Sequence, residues 1–150
     1  MRRGKTALHK IVGEAGAILL SNVLIGLSFT LISELDTSIE NKEIITKILF
    51  KSTTEMCEGQ ILELCGITSS KEEWLAIYEG KTASLLSAAC EIGTILAGAS
   101  PEERAKAKEY GYYLGIGYQL ADDLQDNDGI TAILSQDEIE KALWSYLSKI

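Results

Sequence analysis

The chain has 150 residues, 46% of them hydrophobic and 24% charged, a composition that excludes a disordered chain and is long enough to bury a core without disulfide or metal staples. With 22 acidic against 14 basic side chains and a net charge of -8, it repels phosphate backbones, which excludes nucleic acid as a general partner. A small anion is not excluded, because a few local cations or a metal reverse the sign of one site.

A single proline favours long helices, and the helical period dominates the chain. The first predicted helix covers residues 6–35. In it Leu8, Ile11, Ala15, Ile18, Asn22, Ile25, Phe29 and Ile32 recur at spacings of three and four and form one stripe. Residues 15–33 carry no charge and are nearly long enough to cross a bilayer. Ser21, Asn22, Ser28, Thr30 and Ser33 fit a buried bundle helix better, so no transmembrane segment is expected. Nor does Met-Arg-Arg-Gly-Lys, with no compact apolar core after it, read as a signal peptide.

Four capping boxes mark the remaining helices, each a Ser or Thr followed three residues later by a Glu that reaches back. Thr37 with Glu40 opens a helix over 39–65, and Ser70 with Glu73 opens one over 71–98. Ser100 with Glu103 opens the next over 101–126, with Pro101 at its first position, where a missing N–H costs nothing. Asp128-Gly129 marks a turn, and Ser135 with Glu138 opens the last helix, 136–150. No segment alternates with period two for long. The expectation is therefore an all-α antiparallel bundle of about five helices, in one domain over residues 1–150. Cys57, Cys65 and Cys90 cannot all pair, and with only His9 beside them no zinc site is expected. They read as buried thiols in a reducing, cytoplasmic compartment.

Chemistry concentrates at the end of the fourth helix, Gln119-Leu120-Ala121-Asp122-Asp123-Leu124-Gln125-Asp126. At about 100° per residue, Gln119, Asp122, Asp123 and Asp126 read as one face beside Leu114, Gly117, Ala121 and Leu124. Clustered carboxylates repel one another, and the helix dipole disfavours negative charge there. A cation relieves both, and oxygen ligands suit Mg²⁺. The same run also reads as a solvated acidic helix end. In the third helix Lys81 and Thr82 stand among small and apolar residues, where Lys81 needs a phosphate or an acidic side chain as partner. Gln60 can donate and accept, and Gly59 allows close helix approach. Arg2, Arg3 and Lys5 offer forks and charge for phosphates, or form a basic tail.

In order along the chain, these segments resemble the trans-isoprenyl diphosphate synthases, or polyprenyl synthetases. Arg2-Arg3-Gly4-Lys5-Thr6-Ala7-Leu8-His9 resembles the family's RRGxPxxH, and Gly13 to Asn22 its GExxAILxGD. Residues Gly59 to Leu64 resemble GQxxDL, and Lys81-Thr82-Ala83-Ser84-Leu85 the KTASL motif. Tyr118 to Asp126 resemble FQxxDDxxD, the second aspartate-rich motif.

The resemblance implies a partial isoprenoid-synthase bundle and a Mg²⁺-dependent condensation of an allylic diphosphate with isopentenyl diphosphate. Asp122, Asp123 and Asp126 would hold Mg²⁺, with Lys81, Asp122 and Asp123 catalytic. Arg2, Arg3, Lys81, Thr82 and Gln119 would bind the diphosphates. Ser21-Asn22 stands where the family has Gly-Asp, Glu63 where it has Asp, and no Lys-rich loop follows Asp126. The family's first aspartate-rich motif precedes the RRG segment and is absent here. The primary expectation is a subunit of a split or heteromeric synthase, completed by a second chain that brings that motif. The alternative is a non-catalytic homo-oligomer or regulatory subunit that binds prenyl diphosphates or a full-length synthase. A third reading is a piece of a longer enzyme.

Overall fold

The computed structural model describes residues 6–66 and 68–150. The chain divides into two compact units, Met1–Lys42 and Glu43–Ile150, where the sequence reading has one domain.

The first unit contains α1 (His9–Glu34). Its helix is broken at Gly13, whose φ of 75° and ψ of 167° lie outside the helical region, so the predicted continuous stripe is interrupted after one turn. Four of the five polar side chains of the uncharged stretch bond their own helix. Ser21, Ser28 and Ser33 hydroxyls donate to carbonyls three residues back, and Thr30 donates to Gly26 O. Only Ile32 of α1 is buried, while Ile18, Leu19, Val23 and Leu24 are exposed, which corrects the expectation of a buried helix. Among the described residues, α1 is the one helix long and apolar enough to cross a membrane by length and composition.

Next comes α2 (Ile39–Cys65), capped one residue later than predicted. Ser38 Oγ accepts the Asn41 N–H at 3.1 Å, and Thr37 Oγ1 accepts the Asn41 side-chain amide at 3.0 Å. The third predicted helix is a rod of three parts: α3 (Lys71–Tyr78), a π turn (Glu79–Ala83) and α4 (Ser84–Leu96). Then follow α5 (Pro101–Asp126), a 3-10 turn (Gly129–Ala132) and α6 (Gln136–Leu147), which stops short of the predicted end. The capping boxes at Ser70, Ser100 and Ser135 all form, and no strand occurs among the described residues.

The core of the second unit lies where α3, the π turn, α5, the 3-10 turn and α6 meet. Ile77, Tyr78, Ala83, Ile116, Leu120, Ile130 and Ile139 form it, and Trp74, Tyr112, Leu143 and Tyr146 pack around them. Each of the fully buried Ile and Leu side chains among them contributes about 1.5–3 kcal/mol by leaving water. Two glycines set how closely α2 approaches the rod. A Cβ on Gly80 would lie 2.7 Å from Glu55 O, and one on Gly59 3.0 Å from Ile77 O. Backbone meets backbone there, and no side chain fits between. The three cysteines are unpaired, but Cys57 and Cys65 are exposed and Cys90 half-buried, which corrects the expectation of buried thiols.

Candidate functional site

The predicted single face of the α5 C-terminus splits in two. Residues four apart share a face, so Gln119 pairs with Asp123 and Asp122 pairs with Asp126. Gln119 and Asp123 point inward, each 6% exposed, whereas Asp122 and Asp126 face solvent. The reading of Gln119, Asp122, Asp123 and Asp126 as one face is thereby corrected. The 100° step between Asp122 and Asp123 puts one outside the core and the other inside it.

Asp123 is a buried acceptor with a full set of donors. Tyr78 Oη donates to its Oδ2, and the Ile130 N–H donates to the same oxygen at 2.9 Å and to Tyr78 Oη at 3.1 Å. Gln119 Nε2 donates to Oδ1 at 2.9 Å, and Thr82 Oγ1 donates to Gln119 Oε1 at 2.9 Å. The main chain closes around the same residue. Asn127, left-handed at φ 54°, and Asp128 both donate to Asp123 O. Burial pushes the Tyr78 hydroxyl well above its ordinary value, and the hydrogen bond and charge of Asp123 push it further, so Tyr78 stays a neutral donor.

Lys81 has the acidic partner that the sequence left open. Its Nζ lies 2.7 Å from both carboxylate oxygens of Glu63, with the two side chains about a quarter exposed. Gln60 Nε2 donates to Glu63 Oε2 at 2.7 Å. The GQILEL stretch of α2 and the Lys81 motif are thus one network. Lys81 and Thr82 both stand in the π turn, where Ser84 N–H reaches back five residues to Glu79 O. Such turns recur at functional sites because the extra residue re-aims its neighbours.

The fold therefore forms two side-chain networks, Gln60–Glu63–Lys81 and Thr82–Gln119–Asp123, which share the π turn through the neighbours Lys81 and Thr82, with Asp122 and Asp126 on the outer face of α5. Arg2 and Arg3 lie outside the described residues. A cleft of about 410 Å³ lined by Glu55, Glu79, Ser84, Glu91, Lys108 and Tyr112 contains none of the predicted site residues. Sequence reasoning missed Tyr78 and Ile130. They are 45 and 7 residues from Asp123, and no local pattern pairs them with it. No group of three metal-binding side chains forms among the described residues. Asp122 and Asp126 do offer the one or two carboxylates that Mg²⁺ takes from protein when phosphates and water fill its shell.

The described residues build an all-α fold of the isoprenoid-synthase type, the fold of solved geranylgeranyl and polyprenyl synthases to which the chain is similar. The chain matches polyprenyl synthetase over residues 1–141, and it belongs to that family. It is 40% identical over 129 residues to a geranylgeranyl diphosphate synthase of Methanosarcina mazei, covering 84% of this chain and 40% of that one. A polyprenyl synthase of Caulobacter crescentus, crystallised with calcium and isoprenyl diphosphate, is 34% identical with a TM-score of 0.75, covering 83% of this chain and 38% of that one. A geranyltransferase of Helicobacter pylori shares the fold at a TM-score of 0.90 and 23% identity, covering 99% of this chain and 56% of that one. The chain spans about two-fifths of the length of the curated geranylgeranyl and short-chain isoprenyl diphosphate synthases it matches.

Proposed function

We propose that this chain is a subunit of a split or heteromeric prenyl diphosphate synthase, to which it contributes one of two carboxylate clamps. The reading rests on one observation above all: Asp122 and Asp126 stand together on the exposed face of α5, free of the hydrogen bonds that tie Asp123. Asp122 and Asp126 would hold Mg²⁺, and Asp123 would anchor the helix end that carries them. When bound, the ion neutralises charge on a departing diphosphate.

The other roles follow from the side chains themselves. The Lys81 ammonium gives two of its three donors to Glu63 and offers the remaining one to a diphosphate oxygen. Gln119 is fixed by Thr82 and Asp123 at both ends of its amide, so it is an oriented wall of the site. Arg2 and Arg3 would bind phosphate oxygens as forks. The substrates are allylic and isopentenyl diphosphates, and a second chain would supply the first aspartate-rich motif. Free cysteines, two of them exposed, fit a cytoplasmic location.

The test is incorporation of labelled isopentenyl diphosphate by this chain, alone and with candidate partner chains. Incorporation only with a partner supports the split site. Incorporation by the isolated chain refutes it. No incorporation with any partner, together with Mg²⁺-dependent diphosphate binding, favours the regulatory or homo-oligomeric reading. The ion pair that already occupies Lys81 supports that second reading.

A further inference from the structure

We propose that Tyr78 is a positioning residue for the Asp122–Asp126 pair, acting through Asp123 and Ile130; this rests on the reading of that pair as a Mg²⁺–diphosphate contact. Tyr78 is the last residue of α3, wholly buried, and stands directly before the π turn that carries Lys81 and Thr82. Its hydroxyl donates to Asp123 Oδ2 and accepts the Ile130 N–H. One oxygen atom therefore ties three segments together: the rod that carries Lys81, the last turn of α5 and the 3-10 turn behind it.

The need for this tie is electrostatic. A carboxylate buried at a helix C-terminus faces both desolvation and the negative end of the dipole. Asp123 stays inward because three donors point at it, and Tyr78 supplies one of them. With one donor lost, the carboxylate gains by turning towards water, and the last turn of α5 turns with it. Asp122 and Asp126 flank Asp123 on that turn, so their common outward direction is lost together. The rigid positions of the two outer oxygens then depend on a hydroxyl that touches neither. A side chain that orients metal-holding groups in this way typically changes affinity by roughly 10- to 100-fold.

Tyr78→Phe keeps the buried ring, and Ile130 N–H keeps its bond to Asp123 Oδ2, so the chain retains its fold. The experiment measures Mn²⁺ binding in the presence of inorganic pyrophosphate by water-proton relaxation, on the whole chain, with amide hydrogen exchange over residues 122–131 beside it. Expected for Tyr78→Phe are binding weaker by on the order of tenfold and faster exchange confined to that segment. Asp122→Ala is expected to lose binding with exchange unchanged. Wild-type affinity in Tyr78→Phe while Asp122→Ala loses binding overturns the role of Tyr78 alone. Weaker binding with unchanged exchange over that segment also overturns it, because the effect then does not pass through the α5 end. A wild-type chain that binds no Mn²⁺, or an Asp122→Ala chain that binds like wild type, overturns the reading of the carboxylate pair itself.

Discussion

Asp123 and Asp122 are adjacent, both acidic and both in the matched motif, yet their replacement by Asn is expected to do opposite things. Asn at position 123 keeps the shape but brings one oxygen where Asp has two, and an NH₂ that must face a donor. Either Gln119 Nε2 or the Tyr78 hydroxyl and Ile130 N–H lose their acceptor. Turning the Gln119 amide round would make Thr82 Oγ1 the acceptor and leave the Thr82 hydroxyl proton without its present partner. A hydrogen bond to a charged group is worth about 1.5–3 kcal/mol and a neutral one about 0.5–1.5, so three bonds weakened by about 1 kcal/mol each give a loss of about 3 kcal/mol. Against the 5–15 kcal/mol typical of a domain, that is a large fraction. Asp122→Asn is exposed and is expected to stay within about 0.5 kcal/mol of wild type. If anything it gains slightly, because a negative charge leaves the helix C-terminus. Urea titration followed by far-ultraviolet circular dichroism measures both; Mn²⁺–pyrophosphate binding is expected to be lost in Asp122→Asn with the fold intact, and weakened in Asp123→Asn together with the stability. An Asp123→Asn loss below about 1 kcal/mol, or an equal loss in Asp122→Asn, refutes the division between anchor and exposed carboxylate.

The helix crossing gives a second contrast. Gly59→Ala forces a Cβ into the rod's backbone and is expected to cost about 1–3 kcal/mol, whereas Gly93→Ala, helical with open space around it, is expected to stabilise by about 0.5–1 kcal/mol. Thermal melts of the two variants check the pair, and equal shifts would contradict the close approach. A double-mutant cycle on Glu63 and Lys81 is expected to give a coupling of about 1–2 kcal/mol, between the exposed and buried extremes because each side chain is about a quarter exposed. A coupling near zero would mean the pair does not form in solution. In acid, the capping carboxylates matter. Hydrogen bonds from the Ser69 and Ser100 backbones hold Glu73 and Glu103 below the ordinary 4.5, and the Ser135 hydroxyl and N–H do the same for Glu138. Their folded values are depressed, so the stability they add is present above the ordinary value and lost as pH falls through the lowered one. Replacing all three by Gln is expected to flatten the acid loss of helicity, and an unchanged acid limb would show that the caps do not carry it.

Local chemistry determined the elements. The boxes at Ser70, Ser100 and Ser135 placed three helix starts correctly, because a cap is a contact between residues three apart. Where two neighbours competed for the same cap, as Thr37 and Ser38 do, the sequence chose the wrong one, since Asn41 can serve either. The family was also legible, because five short motifs in order survive without any knowledge of packing. Three features were not. The π turn at Glu79–Ala83, the break at Gly13 and the inward turn of Asp123 each depend on what lies across the fold or on backbone geometry that the periodic pattern does not carry. Sequence spacing sorts residues into faces only to within one helical step. Asp122 and Asp123 differ by that one step, and only the packing of Tyr78 and the 3-10 turn against α5 decided which carboxylate was spent on the fold and which was left facing outward.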